Sequence, residues 1–156
     1  MRILYIEDDP NVASAISEML RTFLSGVEVD FIFCQTLAEA RSVIGQQRTA
    51  LDLVLIDLNL PNSQGRNTLR NLAEFAGDIP LVVLTGMRYE RLAIESYQLG
   101  FWSFTGKDRD SINRLAAKIP HIVRRHAVIK SACNADKRRE LLERARTVYS
   151  PEFLTA

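Results

Sequence analysis

The chain has 156 residues, 47% hydrophobic and 25% charged, the size and balance of one globular domain with a real core, too apolar for disorder and too short for a receptor joined to an effector. Net charge is +1, so the overall balance singles out neither nucleic acid nor membrane as a partner, although residues 1–117 carry 11 basic and 15 acidic groups and residues 118–156 carry 9 basic and 4 acidic. Two cysteines, Cys34 and Cys133, make neither a disulfide framework nor a zinc motif; acidic Glu7, Asp8 and Asp9 exclude a signal peptide's apolar stretch, and no apolar run approaches the roughly 20 residues of a membrane span.

Short apolar runs at Ile3–Ile6, Asp30–Cys34, Leu53–Ile56, Leu81–Leu84 and Phe101–Phe104 start 20 to 28 residues apart. Most are continuous rather than alternating, which predicts strands covered on both faces. After the first run, Asp9 is placed to cap a helix with Pro10 in its first turn and Val12, Ile16, Met19, Leu20 and Phe23 at helical spacing. Thr36 opens a second helix (Leu37, Ala40, Val43, Ile44) ending near Gly45. Leu69, Leu72 and Phe75 mark a third, and Leu92, Ala93 and Tyr97 a fourth. A fifth carries Ile112, Leu115, Ala116, Ile119, Ile122 and Val123, with Pro120 expected to kink or divide it. Strict strand–helix alternation predicts an α/β fold, doubly wound, with a five-stranded parallel sheet, helices on both faces and right-handed crossovers. Residues 1–130 read as one domain and 131–156 as a basic amphipathic extension. Within the extension, Lys137–Tyr149 gathers Leu141, Leu142, Ala145, Val148 and Tyr149 on one helical face.

In an open parallel sheet, ligands bind beyond the carboxyl ends of the strands. Those ends carry Glu7, Asp8 and Asp9 after strand 1, Asp57 at strand 3, Thr85-Gly86 at strand 4 and Lys107 after strand 5. Clustered carboxylates repel one another unless a cation sits among them, and hard oxygen donors favour Mg²⁺. A lysine and a threonine opposite them suit a phosphoryl group's remaining oxygens. The rim therefore reads as an acidic metal pocket with a phosphate clamp. Asp9 fits helix capping alone, and Asp52 a solvated strand start. His121 and His126 lack any accompanying carboxylate pattern and suggest neither metal binding nor phosphotransfer.

The motifs Ile3-Leu4-Tyr5-Ile6-Glu7-Asp8-Asp9-Pro10, Asp52-Leu53-Val54-Leu55-Ile56-Asp57-Leu58-Asn59-Leu60-Pro61 with Gly65, Pro80-Leu81-Val82-Val83-Leu84-Thr85-Gly86, and Gly100 with Phe104 and Lys107 resemble a receiver domain of two-component response regulators. The resemblance covers about residues 1–128 and implies the flavodoxin-like strand order 2-1-3-4-5. It further implies that Asp57 accepts a phosphoryl group from a sensor histidine kinase or phosphotransfer protein. Asp8, Asp57 and the backbone carbonyl of Asn59 would ligate Mg²⁺, with Glu7 acting through a water. Thr85 and Lys107 would grip the phosphoryl oxygens, and Gly86 would leave room for their entry. Thr85 and Phe104 would switch a surface made by helix 4, strand 5 and helix 5. The protein is then expected to be cytoplasmic and a phosphoacceptor, with at most self-catalysed phosphotransfer and autodephosphorylation, rather than an enzyme.

Two departures stand out. Asp108 replaces the proline usual after the lysine, so a trans bond is expected and its carboxylate could compete for the Lys107 ammonium. Trp102, where a polar residue is usual, suits either packing beneath helix 4 or 5 or an exposed partner contact. A phosphorylation-independent pseudo-receiver is the alternative, and Asp108 is its sole support. A haloacid-dehalogenase-like phosphatase is excluded, because Asn59 stands where that chemistry needs a proton-transferring Asp. Output is expected through a downstream protein target or an output domain outside this sequence. Residues 131–156 lack a helix-turn-helix pattern, so direct nucleic-acid binding is not expected. Homodimerisation stays open, as does whether the extension docks on the domain, pairs with another chain or leads onward.

Overall fold

A computed structural model describes residues 1–86, 90–132 and 135–149, with side chains as far as Ala145. Its strands are β1 (Arg2–Ile6), β2 (Asp30–Cys34), β3 (Leu53–Asp57), the short β4 (Asn59–Leu60) and β5 (Ser63–Gln64), β6 (Leu81–Thr85) and β7 (Ser103–Gly106). Its helices are α1 (Pro10–Phe23), α2 (Leu37–Gln47), α3 (Arg66–Ala76), α4 (Glu90–Gln98), α5 (Arg109–Lys130) and α6 (Ala135–Tyr149). Five strands form a parallel sheet in the order β2-β1-β3-β6-β7, which is the expected 2-1-3-4-5 once the small β4–β5 hairpin is set aside.

Side chains alternate across a strand with period two, and this sorts the core into two layers. Ile3, Tyr5, Leu53, Leu55, Val82 and Leu84 face α1 and α5. Leu4, Ile6, Val54, Ile56, Leu81 and Val83 face the layer that holds α2 and α3. All five residues of β3 and of β6 are buried, which is why these segments read as unbroken apolar runs. Asp9 caps α1 by accepting from the N–H groups of Asn11 (2.8 Å) and Val12 (3.3 Å). Thr36 caps α2 by accepting from Glu39 N–H at 3.2 Å. Asp52, expected to be solvated, instead accepts from the Arg2 amide at 2.7 Å and fastens the start of β3 to that of β1.

The last strand of the sheet differs from the sequence expectation. Its apolar run is Phe101–Phe104, but the strand is Ser103–Gly106. Phe101 and Trp102 are fully buried ahead of it, in opposite core layers. The run marks burial rather than strand register. Trp102 is therefore a core residue on the α1–α5 side, and the exposed-contact reading is overturned. Past Trp102 the chain turns its Phe104 amide toward α4, where it donates to the Tyr97 hydroxyl at 2.8 Å. A backbone amide drawn partly out of water gains from such a partner.

Helix α5 runs unbroken through Pro120, so the proline does not divide it. Ile119 and Ile122 on either side are completely buried, and their packing holds the helix through the missing Pro120 N–H. Pro120 itself is exposed. Replacing Pro120 with Ala restores that hydrogen bond and is expected to stabilise the domain by about 1–3 kcal/mol. Thermal denaturation followed by circular dichroism would show the midpoint rising by several degrees; a lowered midpoint would mean that the ring's own packing matters more.

Helix α6 folds back on α5. Ala145 is fully buried, and Leu141 and Leu142 pack against the α1–α5 core. Arg138 donates to the Lys130 carbonyl at 3.2 Å, bonding α6 to the end of α5. Of the apolar stripe, Val148 and Tyr149 lie outside the described side chains. Among the described residues, no helix is long and apolar enough to cross a membrane.

Candidate functional site

The carboxyl ends of β1, β3, β6 and β7 converge on one rim because parallel strands in adjacent register end together. Asp57 closes β3, Thr85 closes β6, Glu7 follows β1 and Lys107 follows β7. Backbone bonds extend the ladders past the strands: Glu7 N–H donates to the Cys34 carbonyl at 2.9 Å and Lys107 N–H to the Thr85 carbonyl at 3.2 Å. Glu7, Asp57 and Thr85 are buried.

Glu7, Asp8 and Asp57 each present a carboxylate oxygen, and the three oxygens lie within 4.8 Å of one another. One ammonium serves two of these groups. Lys107 Nζ is 2.6 Å from Glu7 Oε2 and 3.1 Å from Asp57 Oδ2. The Tyr5 hydroxyl donates to the same Glu7 oxygen at 3.1 Å. Burial first, and the Glu7 carboxylate second, push the Tyr5 hydroxyl far above its ordinary pKa, so it keeps its proton and acts as a donor. With three carboxylates against one ammonium, the pocket holds excess negative charge that a cation would offset.

Asp57 Oδ1 is buried and has no hydrogen-bond partner among the described residues. A buried acceptor left so costs about 1–3 kcal/mol, so this oxygen is poised for a cation or an electrophile. The oxygen set and the orphaned atom suit a small divalent ion better than a soft metal, since no thiol or imidazole is among the clustered ligands. A side chain at Gly86 would meet no atom of the described residues within 4 Å. Asn59 lies two residues beyond Asp57 in β4, with its side chain exposed. Gly65 closes the loop after the β4–β5 hairpin at φ +53°, a conformation that L side chains rarely adopt, and its N–H returns to the Leu58 carbonyl at 3.1 Å. Phe104 is partly buried against the α2–α3 core.

Asp108 does not reach Lys107 among the described contacts. It is the N-cap of α5, accepting from Ser111 N–H at 2.9 Å and from the Ser111 hydroxyl at 2.7 Å. No cis peptide bond occurs among the described residues. A Cβ on Gly106 would fall 2.6 Å from the Asp108 carboxylate, so glycine there makes room for the cap. The spacing Asp108-x-x-Ser111 is the signal that could have foretold it. The Ser111 hydroxyl and amide hold the Asp108 carboxyl below its ordinary value of 3.8. A carboxylate with a lowered native pKa contributes stability above its unfolded pKa and loses it as pH falls through the native one. Asp108→Ala should therefore lower the melting midpoint by about 2–4 °C at neutral pH. The gap from wild type should close below about pH 4. A gap independent of pH would contradict a charged cap.

His121 is exposed. His126 is buried, with Nε2 3.9 Å from Asp78 Oδ2, and burial holds its pKa below the ordinary value. Neither histidine joins the carboxylate cluster. Sequence reasoning missed the Tyr5 hydroxyl. Tyr5 lies in β1 and Glu7 just past its end, where the backbone ladder continues, and a spacing of two puts both side chains on one face.

The response regulator receiver domain model matches residues 3–119. The chain belongs to that family. It is 31% identical over 125 residues to the cell cycle response regulator CtrA of Brucella ovis, a match covering 80% of this chain and 51% of CtrA. It is 27% identical over 126 residues to the regulatory protein LuxO of Vibrio cholerae, covering 81% of this chain and 26% of LuxO. The chain thus spans about half or less of the length of these curated relatives. Among solved structures, the Mn²⁺-bound form of the response regulator Rcp1 superposes with a TM-score of 0.59 at 28% identity, over 76% of this chain and 90% of that one.

Proposed function

We propose that this receiver domain accepts a phosphoryl group on Asp57 from a phosphohistidine of a sensor histidine kinase or phosphotransfer protein, in a Mg²⁺-dependent reaction. The acyl phosphate then switches the face made by α4, β7 and α5. The observation that carries this reading is the buried Asp57 Oδ1, without a partner among the described residues and lying beside Glu7 and Asp8 while Lys107 holds the other oxygen.

In the proposed reaction an Asp57 carboxylate oxygen bonds to phosphorus as the phosphorus–nitrogen bond to imidazole breaks. The bonding pair stays on that imidazole nitrogen, and a proton already carried on the ring's other nitrogen lets the donor leave as neutral histidine. Lys107 and Thr85 hold the phosphoryl oxygens, and Phe104 responds to the movement of Thr85. Asp8, Asp57 and the Asn59 carbonyl would hold Mg²⁺, with Glu7 acting through a water. When bound, Mg²⁺ supplies positive charge against the phosphoryl oxygens. Mn²⁺ in Rcp1 supports a divalent ion here. There is no small-molecule turnover, only self-catalysed phosphotransfer and slow hydrolysis of the acyl phosphate. The reading implies a cytoplasmic protein whose output goes to a protein target or to a domain outside this sequence, with 131–156 an appendage to the receiver unit.

Asp108 is the feature that favours a constitutive interaction module, and among the described contacts its carboxylate bonds Ser111 rather than Lys107. The test is titration with beryllofluoride, a phosphoryl mimic, followed by Trp102 fluorescence. Trp102 sits two residues before Phe104 in sequence, so rearrangement of β7 reaches it. A saturable change that needs Mg²⁺ is expected. No change with or without Mg²⁺ would overturn the reading in favour of the constitutive module.

A further inference from the structure

Glu7 Oε2 accepts from two donors of different kinds: the Lys107 ammonium at 2.6 Å and the Tyr5 hydroxyl at 3.1 Å. Among the described residues its other oxygen has only a contact with the Asp9 amide at 3.5 Å, the limit of hydrogen bonding. Glu7 and Tyr5 are both buried, Tyr5 completely, so water cannot replace a lost donor at little cost.

The two donors respond differently to a phosphoryl group on Asp57. Lys107 Nζ already lies 3.1 Å from Asp57 Oδ2, and phosphorylation there replaces the single carboxylate charge by close to two on the phosphoryl oxygens, a net gain of about one negative charge within its reach. The ammonium is then shared among more and stronger acceptors, and its hold on Glu7 weakens. Tyr5 is neutral and is anchored by its ring in the β1 core, so the new charge does not draw it away.

We propose that Tyr5 is a positioning residue for the phosphoryl-bound state, its hydroxyl keeping Glu7 satisfied when Lys107 turns to the phosphoryl group. Tyr5 touches neither phosphoryl group nor metal and acts through Glu7. The inference rests on the receiver reading above and deepens it. The hydroxyl matters less while Lys107 is shared between Glu7 and Asp57 only, and more once phosphoryl oxygens draw on the ammonium as well. Its removal should therefore weaken phosphoryl-mimic binding more than it weakens the free fold.

Tyr5→Phe keeps the ring and deletes only the hydroxyl. The experiment measures beryllofluoride affinity at fixed, saturating Mg²⁺ by Trp102 fluorescence, beside the melting midpoint without either ligand. The expected result is affinity about tenfold weaker than wild type, the scale of one hydrogen bond to a charged group, with a midpoint within about 3 °C of wild type. Equal affinities in wild type and variant would overturn the inference and leave the receiver reading standing. A midpoint depressed by much more than that, with affinity unchanged, would make the hydroxyl merely structural and overturn it too. A wild-type protein that binds no beryllofluoride would remove the receiver reading, and this inference with it.

Discussion

Asp57→Asn should abolish covalent phosphorylation by acetyl phosphate, seen as loss of the single added phosphoryl mass in the intact protein, and should at the same time raise thermal stability without Mg²⁺. The first effect follows because an amide oxygen is a poor nucleophile toward phosphorus. The second follows from charge. Three carboxylates present oxygens within 4.8 Å of one another, and one ammonium pairs with two of them, so removing one negative charge relieves repulsion while Glu7 keeps its 2.6 Å bond to Lys107. Asp57 is buried and its Oδ1 has no partner among the described residues, so part of the desolvation cost of the charged group is also removed. The gain should be about 1 kcal/mol, or about 3 °C in the midpoint for a domain of this size. Stabilisation by Mg²⁺ should shrink in the variant, because the ion meets one carboxylate fewer. Persistence of the label would move the phosphoacceptor elsewhere. A midpoint lowered by several degrees would mean that the Lys107–Asp57 pair outweighs the repulsion.

Lys107→Met should act in the opposite sense. Methionine fills much of the aliphatic volume but removes the only ammonium paired with Glu7 and Asp57 among the described residues. The Lys107 side chain is 18% exposed, Glu7's 2% and Asp57's 7%. Removing one partner of a buried charge pair leaves the other charge uncompensated. Partial exposure of the lysine reduces the loss, and about 2–3 kcal/mol is expected, a fall of about 6–10 °C in the midpoint. Millimolar Mg²⁺ should recover part of that fall, since a bound ion replaces the missing positive charge and stabilises by mass action. Beryllofluoride binding should not recover, because Lys107 is the cation proposed to hold its fluorines. Differential scanning calorimetry with and without Mg²⁺ reads both effects. A variant as stable as wild type and indifferent to Mg²⁺ would show that the carboxylates are not a coupled cluster.

The two variants separate repulsion from attraction in one pocket. Asp57→Asn removes a negative charge and Lys107→Met a positive one, so opposite shifts are the signature of a site with excess negative charge. Equal shifts in one direction would point to packing alone. Tyr5→Phe adds a neutral perturbation of the same Glu7 oxygen.

Much of this molecule is legible in its sequence because its signals are local or periodic. Continuous apolar runs announce β1, β3 and β6, since strands covered on both faces leave no polar position to alternate. Asp9 and Thr36 announce the starts of α1 and α2, since a cap needs only a side-chain oxygen and the amides two or three residues on. Strand–helix alternation then brings Glu7, Asp57, Thr85 and Lys107 to one rim, as the parallel topology requires. What only the tertiary structure decided depends on distances between segments remote in sequence. Lys107 and Glu7 are 100 residues apart in sequence, yet Nζ and Oε2 lie 2.6 Å from each other. That Asp108 turns toward Ser111 depends on space at Gly106. Phe101 and Trp102 read as strand because periodicity reports burial, and both residues are buried without belonging to the strand. Pro120 stays within α5 because the isoleucines beside it pack against the sheet, where local propensity alone favours a break. Local chemistry selected the elements and the candidate residues; the choice of partner for each charged group came from packing, where burial makes every unpaired charge costly.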